Sequence, residues 1–317
     1  MLQGSLAVEE FAPWRSVSCP EDTVNQVRTG PRKSGRSLAL ESQLTEARSP
    51  AVTVAIPTYR GVAHLGAAIE SVLSQTFGNF ELLVIDDNSP DDTRAVVECF
   101  SDPRLVYLRN QRNLGPQGNW NRCLEAARGS YFKLLPHDDV LHPQCLERQV
   151  AVLDADSDQR VAIVFSSRDV LAPDGRTLVC RGYPGGREGL IARSRIVRDC
   201  VRRGTNLIGE PGAVLFRKSL ADRVGAFDAT EPYVIDLDYW FRLLAHGDAY
   251  YCPEQLAGFR VSASSWSVAI GTAQSGEFRR FVARAASSAT FGDRCVGRVM
   301  AYLNNLARLA FYRFYLR

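Results

Sequence analysis

The sequence predicts an α/β fold, a mainly parallel sheet flanked by helices and followed by a C-terminal helical extension. Three observations lead there. Between residues 51 and 166, short apolar runs alternate with segments of helical period, and strand–helix–strand alternation implies right-handed crossovers and parallel pairing. The composition is 45% hydrophobic and 23% charged over 317 residues, enough material for one large α/β domain or two small ones. The last segment, residues 293–317, repeats apolar side chains at helical spacing.

In chain order, residues 1–49 lack periodicity, are rich in Ser, Arg, Glu and Pro, and are expected to form a disordered extension with at most a short helix near 38–47. A start codon assigned too early explains them equally well. Residues 52–56 are an apolar run ending at Pro57 and read as a buried strand. Residues 64–75 place Leu65, Ala68, Ile69, Val72 and Leu73 on one helical face. Strands are then expected at 80–85, 104–109, 131–135 and 161–166, and helices at 92–100, 120–127 and 143–155. Beyond 166 the alternation loosens. Pro173-Asp174-Gly175 predicts a hairpin within 170–179. Helices follow at 193–203, 219–224 and 236–246, and strands at 213–216 and 250–252. The expected units are residues 1–49, an α/β domain at 50–262, and a basic amphipathic extension at 263–317.

Several classes of protein are disfavoured. No apolar run approaches the ~20 residues of a membrane-spanning helix, and Glu9 and Glu10 precede any basic cluster in an N-terminus with no apolar core, so no signal peptide is expected. The eight cysteines form no Cys-x-x-Cys pair, which predicts free thiols in a reducing cytoplasm. Neither a dinucleotide glycine fingerprint nor a P-loop follows a strand, and the serine-elbow and zinc-protease motifs are absent. Among 38 basic residues only Lys33, Lys133 and Lys218 are lysine; this skew is not read as nucleic-acid binding. Residues 271–317 carry eight Arg and two acids in a chain of net charge +3, an asymmetry that suits an anionic surface.

Three acidic sites stand at element ends. Asp86-Asp87-Asn88 follows the strand at 80–85. Ligands of open α/β sheets bind outside the carboxyl ends of strands, yet the same residues suit a helix cap or an Asx-turn. His137-Asp138-Asp139 follows the strand at 131–135. Paired carboxylates there suit a hard divalent cation or the capping of the next helix. Asp236 and Asp238 open the helix at 236–246, where an acid is either a cap favoured by the helix dipole or a general base. Spacing alone does not choose.

The chained motifs resemble the family 2 glycosyltransferases, which have the GT-A fold, a Rossmann-like mainly parallel sheet. The matching pieces begin with Ala55-Ile-Pro-Thr-Tyr59, Ile69-Glu-Ser-Val-Leu-Ser-Gln-Thr-Phe77 and Phe80-Glu-Leu-Leu-Val-Ile-Asp-Asp-Asn-Ser89. Asn113-Leu-Gly115, Asn119-Trp-Asn121 and Tyr131-Phe-Lys-Leu-Leu-Pro-His-Asp-Asp139 follow. Gly212-Ala-Val-Leu-Phe-Arg217, Val224-Gly-Ala-Phe-Asp228 and Asp236-Leu-Asp-Tyr-Trp-Phe-Arg-Leu243 complete the order. The resemblance spans roughly residues 51–261.

The resemblance implies a nucleotide pocket at Pro57, Thr58 and Tyr59, with Tyr59 against the base. Asp87 is implied as the base-binding carboxylate, supported by Asp86. Asp138 and Asp139 are implied as the acidic motif, one contacting ribose or sugar and the other holding Mn2+ or Mg2+ on the diphosphate. Asp236 is implied as catalytic base and Asp238 as structural, while Arg109, Asn113 and Asn121 are weaker pocket candidates. The implied reaction is a single inverting displacement, most plausibly from a UDP-sugar, onto a saccharide or lipid-linked acceptor in bacterial cell-surface polysaccharide or glycoconjugate assembly. The implied setting is the cytoplasm, as a peripheral protein at the inner membrane face.

Three departures bear on this. Pro136 stands where the family usually has an Asp, Ile235 where many relatives have a Glu, and no His follows residue 260. They feed a competing reading, a catalytically impaired relative that binds nucleotide-sugar or polymer, or scaffolds a complex. A nucleotidyltransferase is the other alternative, but no basic glycine-rich triphosphate loop follows the first strand. Tyr183–Gly189 reads as an acceptor loop or a plain connection, Glu210-Pro-Gly212 as acceptor contact or turn, Trp240 as core, and Trp266 as a cleft cover or packing residue. On the C-terminal helix Arg294, Arg298, Asn305 and Arg308 share one face. That face predicts either contact with an anionic bilayer or an amphipathic helix docked on the domain.

Overall fold

The computed structural model describes residues 49–262, 268, 270–285 and 289–315. The extension expected before residue 49 and the roles weighed for Trp266 lie outside the described residues. The chain begins with β1 (Val52–Thr58), α1 (Leu65–Leu73), β2 (Phe80–Asp86), α2 (Thr93–Glu98) and β3 (Leu105–Arg109). It continues through α3 (Gly115–Ala126), β4 (Tyr131–Leu134), β5 (Val140–Leu141) and α4 (Cys145–Ala155). Next come β6 (Val161–Leu171), β7 (Thr177–Arg181), β8 (Gly189–Ile191), α5 (Arg193–Arg203), β9 (Val214–Arg217) and α6 (Lys218–Val224). The last elements are α7 (Ile235–Leu244), β10 (Asp248–Arg260), α8 (Gln274–Ala285) and α9 (Phe291–Tyr315).

The described strands form one sheet in the order β3-β2-β1-β4-β9-β6-β10-β5, with β7 on β6 and β8 on β10. β3, β2, β1 and β4 are mutually parallel, as are β6 and β10, while β9 runs antiparallel between them. β1 and β2 are buried along their whole length, because helices cover both faces; hence their mainly apolar runs, in which the buried Thr53 and Glu81 satisfy each other by a hydrogen bond of 2.6 Å. α1, α2 and α4 pack on one face, and α3, α5, α7 and α8 on the other. The chain winds from β1 to β3 on one side of β1, then returns to place β4 on the other. That reversal opens a crevice at the carboxyl ends of the strands, where Thr58 pairs with Asp86.

Several extents differ from the sequence expectation. β6 runs to Leu171 and β10 spans 13 residues, not three. The two pair along most of their length with bulges near Cys252 and Gln255, so polar residues such as Ser166, Ser167 and Arg168 are carried into a buried sheet. α3 starts five residues before the expected position, β5 and β8 are too short to carry a periodic signal, and α8 was not expected although Phe278, Phe281, Val282 and Ala285 recur at helical spacing. Six described cysteines are free, whereas Cys99, exposed at the end of α2, is disulfide-bonded, against the expectation of free thiols throughout.

α9 docks across α5 and α8 through its smallest residues. A Cβ on Gly297 would stand 2.1 Å from the Val201 carbonyl oxygen, so only glycine permits this approach. Gly204 closes α5 at φ 63° and lies against the α9 backbone at Ala301. Asn304 donates to the Arg203 carbonyl at 2.7 Å and Asn305 to that of Thr272 at 3.1 Å. No helix among the described residues is long and apolar enough to cross a membrane.

Candidate active site

A cleft of about 700 Å³ lies over the carboxyl ends of β1, β2 and β4, a size that suits a small-molecule ligand. Pro57, Thr58, Tyr59, Asp87, Asp138, Asp139 and Asp236, distant in sequence, all line it. Asn121 does not. Its amide donates to the Phe227 carbonyl at 3.2 Å and accepts from the Phe227 N–H at 2.7 Å. The expectation of a nucleotide contact at Asn121 is therefore corrected: both ends of its amide bracket another backbone segment.

The β1–β2 side is held by backbone groups. Asp87 Oδ1 accepts from Leu114 N–H and Asn110 Nδ2, each at 2.8 Å, and Oδ2 accepts from Gly115 N–H at 2.9 Å. The carboxylate thus ties the start of α3 to the end of β2, supplying an acceptor to N–H groups that have no intrahelical one; Gly115 N–H also donates to Asn113 Oδ1 at 3.0 Å. Asp86 accepts from Ser89 N–H at 2.9 Å and from the Tyr107 hydroxyl at 2.8 Å, which fixes the turn beside it. Arg109 reaches Asn88 and Ser89 rather than the cleft, while Asn113 lines it. Among the described residues Thr58 Oγ is buried without a hydrogen-bond partner, an orphan that a ligand in the cleft would satisfy. Tyr59 is 40% exposed, with the Arg60 guanidinium 5.4 Å from its ring centre.

The other side gathers carboxyl groups. Asp139 is buried and accepts from Arg260 N–H at 2.9 Å, while Arg260 Nε donates to the Asp138 carbonyl. Burial, then the neighbouring charge of Asp138, pushes the Asp139 carboxyl well above its ordinary range. Glu210 pairs with the buried Arg168 of β6. Burial works to raise Glu210, but Arg168 and Arg181 outweigh it and hold the carboxyl low. Asp236 opens α7 and accepts from Asn206 Nδ2 at 2.9 Å and from Leu237 N–H at 2.7 Å. Burial and then the Glu210 charge push it up to about 7. Asp238 instead points into structure, bonded to Arg242 at 2.8 Å and beside Arg284 of α8. Trp240 is core, its Nε1 donating to the Gly209 carbonyl.

Sequence reasoning did not place Arg168, Arg181, Asn206, Tyr233 or Tyr312 at this site. A buried arginine inside a strand run is the one signal Arg168 offered. Arg308 was singled out on α9 for a different reason. It stacks on Tyr233 at 5.3 Å and lines the cleft with Tyr312, so part of the line expected as a surface face is turned inward.

Metal fit follows from these donors. Asp138 and Asp139 offer hard oxygen ligands, and the elevation at Asp139 is what a cation would relieve. Among the described residues no cluster of three metal-ligating side chains exists. Two carboxylates with the remainder from substrate phosphate and water is an ordinary Mg2+ arrangement, so the residues fit a substrate-completed site.

Acids at the ends of parallel strands and a cleft at the switch point are the layout of a GT-A-type fold. The Glycosyl transferase family 2 model matches residues 53–225, and the chain belongs to that family. An uncharacterized protein of Mycobacterium tuberculosis is 32% identical over 222 residues, 68% of this chain and 69% of its own. The Escherichia coli enzyme WfgD, named a UDP-Glc:alpha-D-GlcNAc-diphosphoundecaprenol beta-1,3-glucosyltransferase, is 39% identical over 102 residues, 32% of this chain and 40% of its own. Uncharacterized Rickettsia glycosyltransferases of 29–30% identity are spanned over 64–65% of their length, under two thirds. The fold matches Staphylococcus aureus TarS 1–349 in complex with UDP-GlcNAc, at TM-score 0.59 and 17% identity over 84% of this chain and 76% of that one. It also matches the Pyrobaculum calidifontis mannosyltransferase PcManGT with GDP-Man and Mn2+, at TM-score 0.57 and 18% identity over 87% and 79%.

Proposed function

We propose that the protein is an inverting glycosyltransferase that moves a sugar from a UDP-sugar to an acceptor hydroxyl, with Asp236 as general base. The observation that carries this is the Asp236 carboxyl, raised to about 7 in the same cleft as Thr58, Tyr59 and Asp87. A base is most effective when its pKa lies near working pH. Burial first and then the Glu210 charge raise that value, and Asn206 Nδ2 donates to the carboxylate at 2.9 Å. One base and no carboxylate assigned as nucleophile suit a single displacement, which inverts the anomeric centre.

Tyr59 offers its exposed face to a base, Thr58 Oγ a polar contact, and Asp87 Oδ2 its remaining lone pair to a base N–H. Asp138 and Asp139 would hold Mn2+ or Mg2+, which supplies charge neutralisation for the leaving diphosphate when bound. Arg181 and Arg308 place further positive charge along the cleft. The diphosphoundecaprenol acceptor in the name of WfgD supports a lipid-linked acceptor here, in cell-surface polysaccharide or glycoconjugate assembly on the cytoplasmic side.

The test is calorimetric titration with UDP, GDP and CDP, each with Mn2+ and with EDTA. Metal-dependent binding of UDP is expected, weakened about tenfold or more by Asp139→Ala. If the folded protein binds none of the three, the reading fails. The impaired-relative alternative, favoured by Pro136 in the acidic loop, then takes its place.

A further inference from the structure

α9 turns its apolar side away from the protein. Gly297, Ala301 and Asn305 face the domain and are buried, as their spacing of four residues requires. The opposite side carries Val296, Val299, Leu303, Leu306 and Phe314, each 46–76% exposed. This inverts the usual amphipathic helix of a globular protein, whose large apolar residues face the core. The strip runs along a helix of 25 residues, about 37 Å.

Positive charge borders the strip on both sides. Arg298 and Arg313 of α9 are exposed along one edge. Exposed Arg198 and Arg202 of α5 border the other, next to Asp293. Thr290 first, and then the charges of Arg198 and Arg202, hold the Asp293 carboxyl below its ordinary range. Asp293 is the one acid of α9.

We propose that this face of α9, with the α5 arginines beside it, lies on an anionic lipid bilayer. A cationic rim around an apolar strip is what headgroup phosphates and acyl chains together recognise. A second copy of the chain is the less suited occupant. A two-fold contact sets a patch against itself, which would bring these arginines together with one acid per chain to offset them. The opposite face of the same helix supplies Arg308 and Tyr312 to the cleft, one helix diameter of about 10 Å from the bilayer side. A lipid-borne acceptor would therefore meet the cleft beside the surface that holds it. That last link rests on the proposed transferase reaction; the docking itself does not.

The test is flotation of the full chain with phosphatidylglycerol-containing vesicles against pure phosphatidylcholine, with UDP titration of the same sample. Binding to the anionic vesicles is expected, weaker in high salt. The triple variant V299E/L303E/L306E should lower it at least about 100-fold while still binding UDP, which shows that it is folded. Arg198→Gln and Arg202→Gln should each cost about fivefold. Absence of flotation, or flotation unchanged by the triple variant, overturns the proposal. So does a concentration-dependent dimer that the triple variant abolishes in protein that ignores vesicles. Loss of UDP binding with flotation intact would instead strike the transferase reading alone.

Discussion

On the β1–β2 side of the cleft the acids are satisfied by backbone N–H groups and neighbouring amides, whereas on the β6–β9–α7 side they are set against one another. Asp87 accepts three hydrogen bonds from the β3–α3 connection and the first residue of α3. Asp139 and Asp236 are instead pushed up by burial first and then by neighbouring carboxylates, Asp138 and Glu210 at Asp139 and Glu210 at Asp236, with Arg260 and Arg168 as partial counterweights, while Arg168 and Arg181 hold Glu210 itself low. The first arrangement builds a rigid receptor, because its groups are already paired before any ligand arrives. The second holds unfavourable charge in reserve, which a cation or a proton relieves, and so prepares chemistry at a cost in stability.

Substitutions at the two sides should therefore fail differently. The largest effect is expected at Asp236→Asn, where sugar transfer should fall 10²- to 10⁴-fold, about the worth of a general base, with UDP affinity nearly unchanged. Release of UDP and calorimetry read the two quantities. The same variant should gain stability above pH 7. The folded carboxyl titrates near 7 and the unfolded one near 4, so native stability falls as pH rises through that window. The amide removes this loss, and thermal melts at pH 5 and pH 8 check the sign. Full activity in the variant would sink the assignment of the base.

Asp87→Ala comes next. It strands the Leu114 N–H and leaves the Gly115 N–H only Asn113 Oδ1, so unfolding in urea should cost about 1–3 kcal/mol less, together with weaker nucleotide binding. Unchanged stability would break the contrast, since the β1–β2 side would then not depend on this carboxylate. Glu210→Gln gives the smallest effect and the sharpest one. It removes the charge that raises Asp236 and leaves Arg168 to lower it. The acidic limb of the pH–rate profile should move down by about one pH unit. A limb that stays in place would mean that burial alone sets the Asp236 value.

The legible part of the site is the part whose elements are local. Asp86 and Asp87 follow an apolar run, and Asp138 and Asp139 follow another, so strand ends and acids read together from the chain. The register Thr58 to Asp86 then brings them to one edge. Asn121 misled because its position on α3 suits the cleft, while its amide found Phe227, 106 residues away. Arg168 was obscure for a similar reason, whereas Glu210 read equally as acceptor contact or turn. A buried ion pair across 42 residues has no periodic signature. β10 was read at three residues because Pro253, Glu254 and Gln255 interrupt its pattern at a bulge, which pairing with β6 tolerates.

The sequence by itself determined the alternation of strands and helices, the family, the acids at the strand ends, and the helical period of α9. Each of these depends on near neighbours along the chain, where spacing alone reports which face a side chain shares. Only the tertiary structure decided what the acids are worth and which way α9 faces. The Asp236 value depends on burial and on a charge from a different element. The outward turn of α9 depends on Gly297 and Ala301 meeting the backbone of α5 at Val201 and Gly204. Close approach of small residues is a matter of surfaces brought together in space, and spacing along the chain does not carry it.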